Sequence, residues 1–270
     1  MIFINNFFVY GLLVNVIDLP YDNGANIKGS SNAYNTLKND LYKNEKIHIN
    51  KVYNLDANEK HPRIEFGNAF FKSWDSLNSG VLPFLIGGDH TCAISNIFAS
   101  NEYSLLYKEK LGVLWIDAHA DFNTMESSPS KNIHGMPVSI LCGHTLPILS
   151  FGKALDPSQF LYYGLRDIDS LEFYRFQDYN MKTLDVDLDL YEWASYYDKI
   201  HISFDLDALD PNIFKGVNTP VQNGLSKENL KTVFKYIKKT GKLQSLDLVE
   251  YNPQNSENNK LILELLENLF

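Results

Sequence analysis

Apolar and polar positions alternate with two different periods along this chain. From Ile2 to Ile17 the residues are largely β-branched or aromatic, which predicts a strand, and Pro20-Tyr21-Asp22-Asn23-Gly24 ends it. A polar loop from Asn23 to Ser31 follows. Ser31 is placed to N-cap a helix whose apolar face carries Ala33, Leu37 and Leu41. A short strand over His48 to Leu55 comes next, and Pro62 then opens a helix. Its wide stripe of Ile64, Phe66, Phe70, Phe71, Trp74 and Leu77 reads as core packing. Val81 to Ile86 is an uninterrupted apolar run of the kind buried on both faces of a parallel sheet. Gly87-Gly88-Asp89-His90 closes it, with glycines where a tight turn leads into a helix through Ala93, Ile97, Phe98 and Leu105.

The second half repeats the alternation. An apolar strand runs into Asp117, and a long loop rich in Asn, Ser and Thr follows from Phe122 to His134. Loops of that length at a strand's carboxyl end usually carry function. Strands are predicted over Phe160 to Leu165 and Lys199 to Phe204, separated by short amphipathic segments. A helix over Lys227 to Lys239, a strand over Leu243 to Val249 and a helix over Leu261 to Leu269 complete the pattern. No linker or change of composition interrupts it. The expectation is one α/β domain over residues 1–270, a doubly wound and mostly parallel sheet flanked by helices in a three-layer sandwich. Ligands then sit outside the carboxyl ends of the strands, where His90, Asp117, Arg166, Asp205 and Glu250 all fall.

Composition narrows the function. Of the 270 residues 44% are hydrophobic, enough for a large core, and the net charge of -9 with a pI near 5.2 argues against a nucleic-acid binder. A small cationic substrate or a divalent metal suits such a chain better. Met1 to Pro20 is apolar but has no Lys or Arg and is interrupted by Asn5, Asn6, Asn15 and Asp18, so it reads as a first strand and not as a signal peptide. No stretch approaches the ~20 apolar residues of a membrane span. Cys92 and Cys142 lack paired spacing and read as buried thiols in a reducing, cytoplasmic setting.

The chemistry gathers at two stretches. In Asp117-Ala118-His119-Ala120-Asp121 three metal-capable side chains stand at alternate positions, so they share a face if strand geometry persists. Asp205 and Asp207 repeat the spacing at a second strand end, and His90 supplies another imidazole. Four carboxylates on one edge repel one another and tend to take up protons. Two divalent cations would cancel that charge. Oxygen-rich ligation with two imidazoles favours Mn²⁺, and two such ions roughly 3.5 Å apart can activate a shared water. Asp89 and Asp210 read instead as turn or capping residues.

Gly87-Gly88-Asp89-His90, Asp117-Ala118-His119-Ala120-Asp121 and Ser203-Phe204-Asp205-Leu206-Asp207-Ala208-Leu209-Asp210-Pro211 resemble the three signature motifs of the ureohydrolases, the arginase and agmatinase superfamily. The resemblance runs from about Gly24 to about Pro253. It implies a binuclear manganese hydrolase in which His90 and Asp121 hold one ion, His119 and Asp207 the other, and Asp117 and Asp205 bridge them. The loop of Asp121-Phe122-Asn123-Thr124 and Ser130-Lys131-Asn132-Ile133-His134 is most similar to bacterial arginases. There Asn123, Ser130 and Asn132 would contact the α-carboxylate of L-arginine with neutral donors. By the same resemblance Asp169 would recognise the α-amino group, Glu250 would orient the guanidinium and Thr219 would line the active site. Asp121 would relay the proton after attack by a bridging hydroxide, and His134 would shuttle protons to bulk water on the way to L-ornithine and urea.

Three positions depart from the bacterial pattern. Lys131 stands where glycine is usual, as do Asn218 and Asn223, and Asn tolerates left-handed backbone. Lys131 also puts a cation beside the expected carboxylate site. Agmatinase, guanidinobutyrase or formimidoylglutamase activity, or a non-catalytic homologue, are the alternatives on the same scaffold. The resemblance also implies a homo-oligomer, trimer or hexamer, while the acidic charge and the lack of a long apolar stretch lead us to expect no nucleic-acid or membrane partner.

Overall fold

Eight strands lie side by side in one sheet in the order β2-β1-β3-β8-β7-β4-β5-β6, and every neighbouring pair is parallel. This computed structural model describes residues 12–57, 62–184 and 188–270. In chain order the elements are β1 (Leu13–Leu19), α1 (Ala33–Lys43), β2 (His48–Asn54), α2 (Pro62–Asn78), β3 (Leu82–Gly87), α3 (Ala93–Leu106) and β4 (Leu111–Ile116). Then come α4 (Pro137–Leu141), β5 (Phe160–Tyr163), α5 (Ser170–Asp178), β6 (Lys182–Thr183), α6 (Leu188–Ser195), β7 (Lys199–Asp205), α7 (Lys227–Thr240), β8 (Leu243–Val249) and α8 (Asn259–Leu266). The expected three-layer α/β class is what the chain adopts.

Both faces of the sheet's central strands are covered, which is why β3 and β4 read as continuous apolar runs, whereas the edge strands β2 and β6 are partly exposed. Along β4, Leu114 and Ile116 join a core with Leu37 of α1, Trp193 of α6, Phe234 of α7 and Leu265 of α8. Val113 and Trp115 point the other way, into a core with Phe66 of α2, Ile97 and Phe98 of α3 and Val138 of α4. Between α3 and the sheet runs a buried polar seam. His201 of β7 meets Ser245 Oγ at 2.6 Å and Asp247 Oδ2 at 2.9 Å on β8, while Asn96 Nδ2 donates to Asp247 Oδ1 at 2.6 Å and Ser100 meets Ser245 at 2.5 Å.

Several expectations change in detail. The part of the first predicted strand that lies in residues 1–11 falls outside the described residues, and β1 starts at Leu13. Ser31 does not cap α1: it sits inside a 3₁₀ turn, Ser30–Asn32, that leads into the helix. Of the α2 stripe, Phe66 and Leu77 are buried, but Ile64 and Phe71 are exposed, because the apolar set is wider than the face that meets the sheet. Strand β5 stops at Tyr163, before Gly164 turns to a φ of +97°. The two-residue edge strand β6 had no apolar signature. Gly88 keeps an ordinary φ; its lack of a side chain matters because a Cβ there would run into the Tyr21 carbonyl.

The strand order positions the site. Neighbours β3, β8, β7 and β4 come from distant parts of the chain, and their carboxyl ends deliver His90, Glu250, Asp205 and Asp117 to one stretch of edge.

Candidate metal centre

Strand geometry does not persist through the Asp117 stretch. β4 ends at Ile116, and the backbone reaches a left-handed φ of 49° at Asp121. Convergence is achieved by that turn instead of by period-2 alternation. His90 opens a 3₁₀ turn after β3 whose N-cap, Asp89, accepts from Thr91 N at 3.0 Å and Gly24 N at 2.6 Å. Asp89 is thus the capping residue expected, as is Asp210, which accepts from Asn212 N and Gly224 N.

Three carboxylates point at one nitrogen. His90 Nδ1 lies 2.9 Å from Asp117 Oδ2, 3.1 Å from Asp121 Oδ2 and 3.1 Å from Asp205 Oδ2. His90 Nε2 is engaged by Ser203 Oγ at 2.9 Å, and the ring stacks on Trp115 at 4.1 Å and 5°. Trp115 Nε1 in turn donates to Asp117 Oδ2 at 3.0 Å. The second imidazole, His119 Nδ1, lies 3.1 Å from Asp207 Oδ2 and 3.4 Å from Asp117 Oδ1. Asp117 therefore turns one oxygen to each histidine. Asp205 faces the cluster with Oδ2 alone, since its Oδ1 accepts from Asp207 N at 2.8 Å. Thr219 Oγ1 donates to Asp207 Oδ2 at 2.8 Å.

The donor set fits metal ions. His90 with Asp117 and Asp205, and Asp117 with His119 and Asp207, each bring ligand atoms within 4.8 Å of one another. Despite its three close oxygens, buried His90 Nδ1 makes no hydrogen bond of acceptable geometry. Its lone pair and the carboxylates aim at common space and not at each other, which suits a shared cation. Protonation follows the same logic. Burial disfavours charge on His90, but Asp117, Asp121 and Asp205 lift it well above the usual imidazole range. Burial likewise opposes charge on His119, and Asp207 and Asp117 override it. Burial and neighbouring carboxylates raise Asp205 and Asp207, and push Asp121 up to about 6. Asp117 is the exception: its burial is outweighed by the close imidazole rings of His119 and His90, which hold it well below the carboxylate range. Imidazolium charge supplies in the metal-free chain what divalent cations would supply more fully.

A cavity of about 150 Å³ opens on the cluster, lined among others by Asn123, Ser130, His134, Asp169, Thr219 and Glu250. That is the scale of a small molecule, about the volume of a cavity able to take up benzene. A match to the arginase family spans residues 21–269. The chain belongs to that family. The arginase of Entamoeba histolytica is 33% identical over 241 residues, 84% of this chain and 80% of the relative. The crystal structure of Bacillus subtilis arginase superposes with a TM-score of 0.85 at 27% identity, covering 96% of this chain and 98% of that one. Entamoeba histolytica arginase in complex with L-ornithine gives 0.81 at 27% identity, with the same coverage. Family membership makes this chain an arginase-type hydrolase of carbon–nitrogen bonds.

Within this arginase-family cavity most of the residues expected to meet substrate lie in the lining. Glu250 stands in left-handed backbone, φ 61°, with its amide on Gly88 O. Its Oε1 accepts from His90 N and meets His134 Nδ1, both at 3.1 Å, while buried Oε2 has no hydrogen-bond partner. Burial alone would depress His134, but Glu250 lifts it to about 9. Asn123 Nδ2 donates to Asp169 Oδ2 at 2.9 Å, and Asp169 is also the N-cap of α5. The structure does not bring Asn132 to the cavity lining; buried Ser128 stands there instead. Lys131, at φ 61°, turns away, with Nζ on Met125 O at 2.6 Å and Glu126 O at 3.3 Å. Asn223 uses the left-handed region, φ 63°, whereas Asn218 does not and accepts from Asn252 Nδ2 at 2.7 Å.

Two further acids line the cavity. Asp167 is exposed, its Oδ2 3.9 Å from His119 Nε2. Glu172 accepts from Phe122 N at 2.6 Å and Asp169 N at 3.2 Å, and burial pushes it up to about 8. The Asp-x-x-Glu spacing of Asp169 and Glu172 is a helix-capping signature that could have found it. Cys92 and Cys142 are buried and free. Among the described residues no helix is long and apolar enough to cross a membrane.

Proposed function

We propose that this chain is an arginase, hydrolysing the guanidinium group of L-arginine to L-ornithine and urea with two Mn²⁺ per subunit. The proposal includes a cytoplasmic homo-oligomer in which residues 1–270 form one catalytic domain. The observation that carries it is Asp117 facing both histidines beside a cavity whose walls offer neutral donors and one unpartnered carboxylate oxygen. His90 and Asp121 would hold one ion, His119 and Asp207 the other, with Asp117 and Asp205 between. Six ligands, four carboxylates and two imidazoles, match manganese better than the thiolate sets of structural zinc. Two such ions would supply a water activated near neutral pH and polarise the reacting group.

The chain's own residues handle orientation and protons. Glu250 Oε1 is tied down by the His90 amide and His134, so Oε2 is left to take a charge-assisted hydrogen bond from the guanidinium. Asn123 and Ser130 bind the α-carboxylate, and the second N–H of Asn123 Nδ2 is free for it while the first holds Asp169. Asp169 accepts from the α-amino group. Asp121, its carboxyl lifted by burial, relays a proton from the attacking water to the leaving nitrogen. His134 stays cationic near neutral pH beside Glu250 and returns the proton balance toward bulk water. The Entamoeba relative's complex with L-ornithine supports a product bearing an α-carboxylate.

The test is urea release with Mn²⁺ supplied, comparing L-arginine, agmatine, guanidinobutyrate and formimidoylglutamate. L-arginine is expected to have the highest kcat/KM. Preference for agmatine would move the reading to agmatinase, and no turnover of any substrate with two ions bound would point to a binding homologue.

A further inference from the structure

Arg166 lies just beyond β5, outside the cavity lining, yet it reaches six main-chain carbonyls. Its Nε donates to Gln222 O at 3.1 Å; Nη1 to Gly164 O at 2.8 Å and Ala208 O at 3.2 Å; Nη2 to Asp207 O and Val221 O at 2.8 Å and Leu209 O at 3.4 Å. Five N–H groups in a rigid plane can serve such a cage, whereas a lysine has three donors on one atom. Five of the carbonyls belong to two other limbs of chain, and the sixth, Gly164 O, is local to Arg166. One carries Asp207; the other follows Thr219, whose hydroxyl holds Asp207 Oδ2. The limbs are also joined by Leu225 N on Ala208 O at 2.8 Å and Asp210 N on Leu225 O at 3.1 Å.

The main chain of Arg166 adds a third connection. Its amide donates to Ala118 O at 2.9 Å, and Ala118 N donates to Asp207 Oδ1 at 3.2 Å. Ala118 sits between Asp117 and His119. One residue thus ties together the three members of the Asp117, His119 and Asp207 group, while none of its hydrogen bonds reaches His90, Asp121 or Asp205. We propose that Arg166 is a positioning residue for one of the two metal positions: by caging the Asp207 and Thr219 limbs it sets affinity for the ion at Asp117, His119 and Asp207, and leaves the ion at His90 unaffected. The inference rests on the two-metal reading above.

The experiment titrates Mn²⁺ into metal-free protein and into Arg166→Gln and Arg166→Lys, which removes the fork but keeps the charge. Metal content and electron paramagnetic resonance are followed, with unfolding midpoints as a check on folding. The expected result is a first ion bound as in the unsubstituted protein and a second weakened about 10–100-fold, the range for outer partners of metal ligands. At sub-saturating metal the coupled-pair spectrum gives way to that of single Mn²⁺. Two ions bound with unchanged affinity would overturn the inference, and so would equal weakening of both. If the unsubstituted protein takes up one ion only, the two-metal reading fails instead. The cage is then judged by hydrogen exchange at the Asp210, Gly224 and Leu225 amides. Faster exchange in Arg166→Gln supports it, and unchanged exchange overturns it.

Discussion

Strands β7 and β8 carry two buried clusters of histidine and aspartate that behave in opposite ways. Midway along them, His201 and Asp247 are enclosed with Ser245, Asn96 and Ser100, and both ring nitrogens of His201 have partners. At the carboxyl edge, Asp205 and Asp207 meet His90 and His119, a ring nitrogen and a carboxylate oxygen go without hydrogen bonds, and a cavity opens beside them. The difference teaches that buried polarity alone does not mark a site. A histidine–aspartate pair whose ring nitrogens and carboxylate oxygens are all bonded stiffens the core, whereas converging lone pairs that cannot satisfy one another await a cation.

The sharpest way to break that comparison is to remove the residue shared by both histidines. Asp117→Ala is expected to abolish binding of the paired ions and lower kcat/KM by about a thousandfold or more, several kcal/mol of transition-state stabilisation. Retained activity with two bound ions would deny Asp117 its place. Asp247→Ala probes the other cluster: removing one partner of a buried pair should cost about 3–5 kcal/mol in denaturant unfolding. Activity and metal content per folded molecule should stay close to those of the unsubstituted protein. Loss of metal without loss of stability would merge the two clusters into one. Trp115→Phe, which deletes the donor to Asp117 Oδ2, should weaken metal binding about 10–100-fold with little change in unfolding.

Acidity offers a smaller effect with a defined sign. In the folded chain His134 is raised to about 9, above the ~6.5 of a free imidazole, so its contact with Glu250 stabilises fully below that lower value. The contribution is lost as pH rises through about 9. The unfolding midpoint of metal-free protein should fall across this window, and His134→Asn should flatten the fall. Smallest is Lys131→Gly. Left-handed backbone costs a non-glycine residue roughly 1–2 kcal/mol, and the exposed Nζ ties to Met125 and Glu126 offset part of it, so stability should move by about 1 kcal/mol or less. The KM for L-arginine should change by less than about threefold by the same reasoning; a tenfold change would show the lysine acting on substrate directly.

Much of the site was legible because its residues are chemically conspicuous. His90, Asp117, His119, Asp121, Asp205 and Asp207 stand out at the ends of apolar runs, and the structure gathers all six. Their geometry was less accessible. Period-2 spacing suggested a continued strand, but the chain turns at Asp121, because the left-handed residue lets its carboxylate face His90. Asn132 matched a motif yet does not line the cavity, while Ser128, Asp167 and Glu172 do. Glu172 also carried a local signal, since a capping box is written in adjacent residues. Ser128 had none, because lining depends on how the loop folds back on itself.

The sequence by itself determined the alternation of elements, the burial of the sheet's central strands on both faces and the inventory of metal-capable side chains. Those depend on periodicity and side-chain chemistry, which are local. Only the tertiary structure decided that β3, β8, β7 and β4 lie adjacent, that Asp117 serves both histidines and that Arg166 cages the Asp207 limb. It also separated the satisfied His201 from the unsatisfied His90. Whether a buried polar atom finds a partner depends on residues brought from far along the chain, so no local pattern records it.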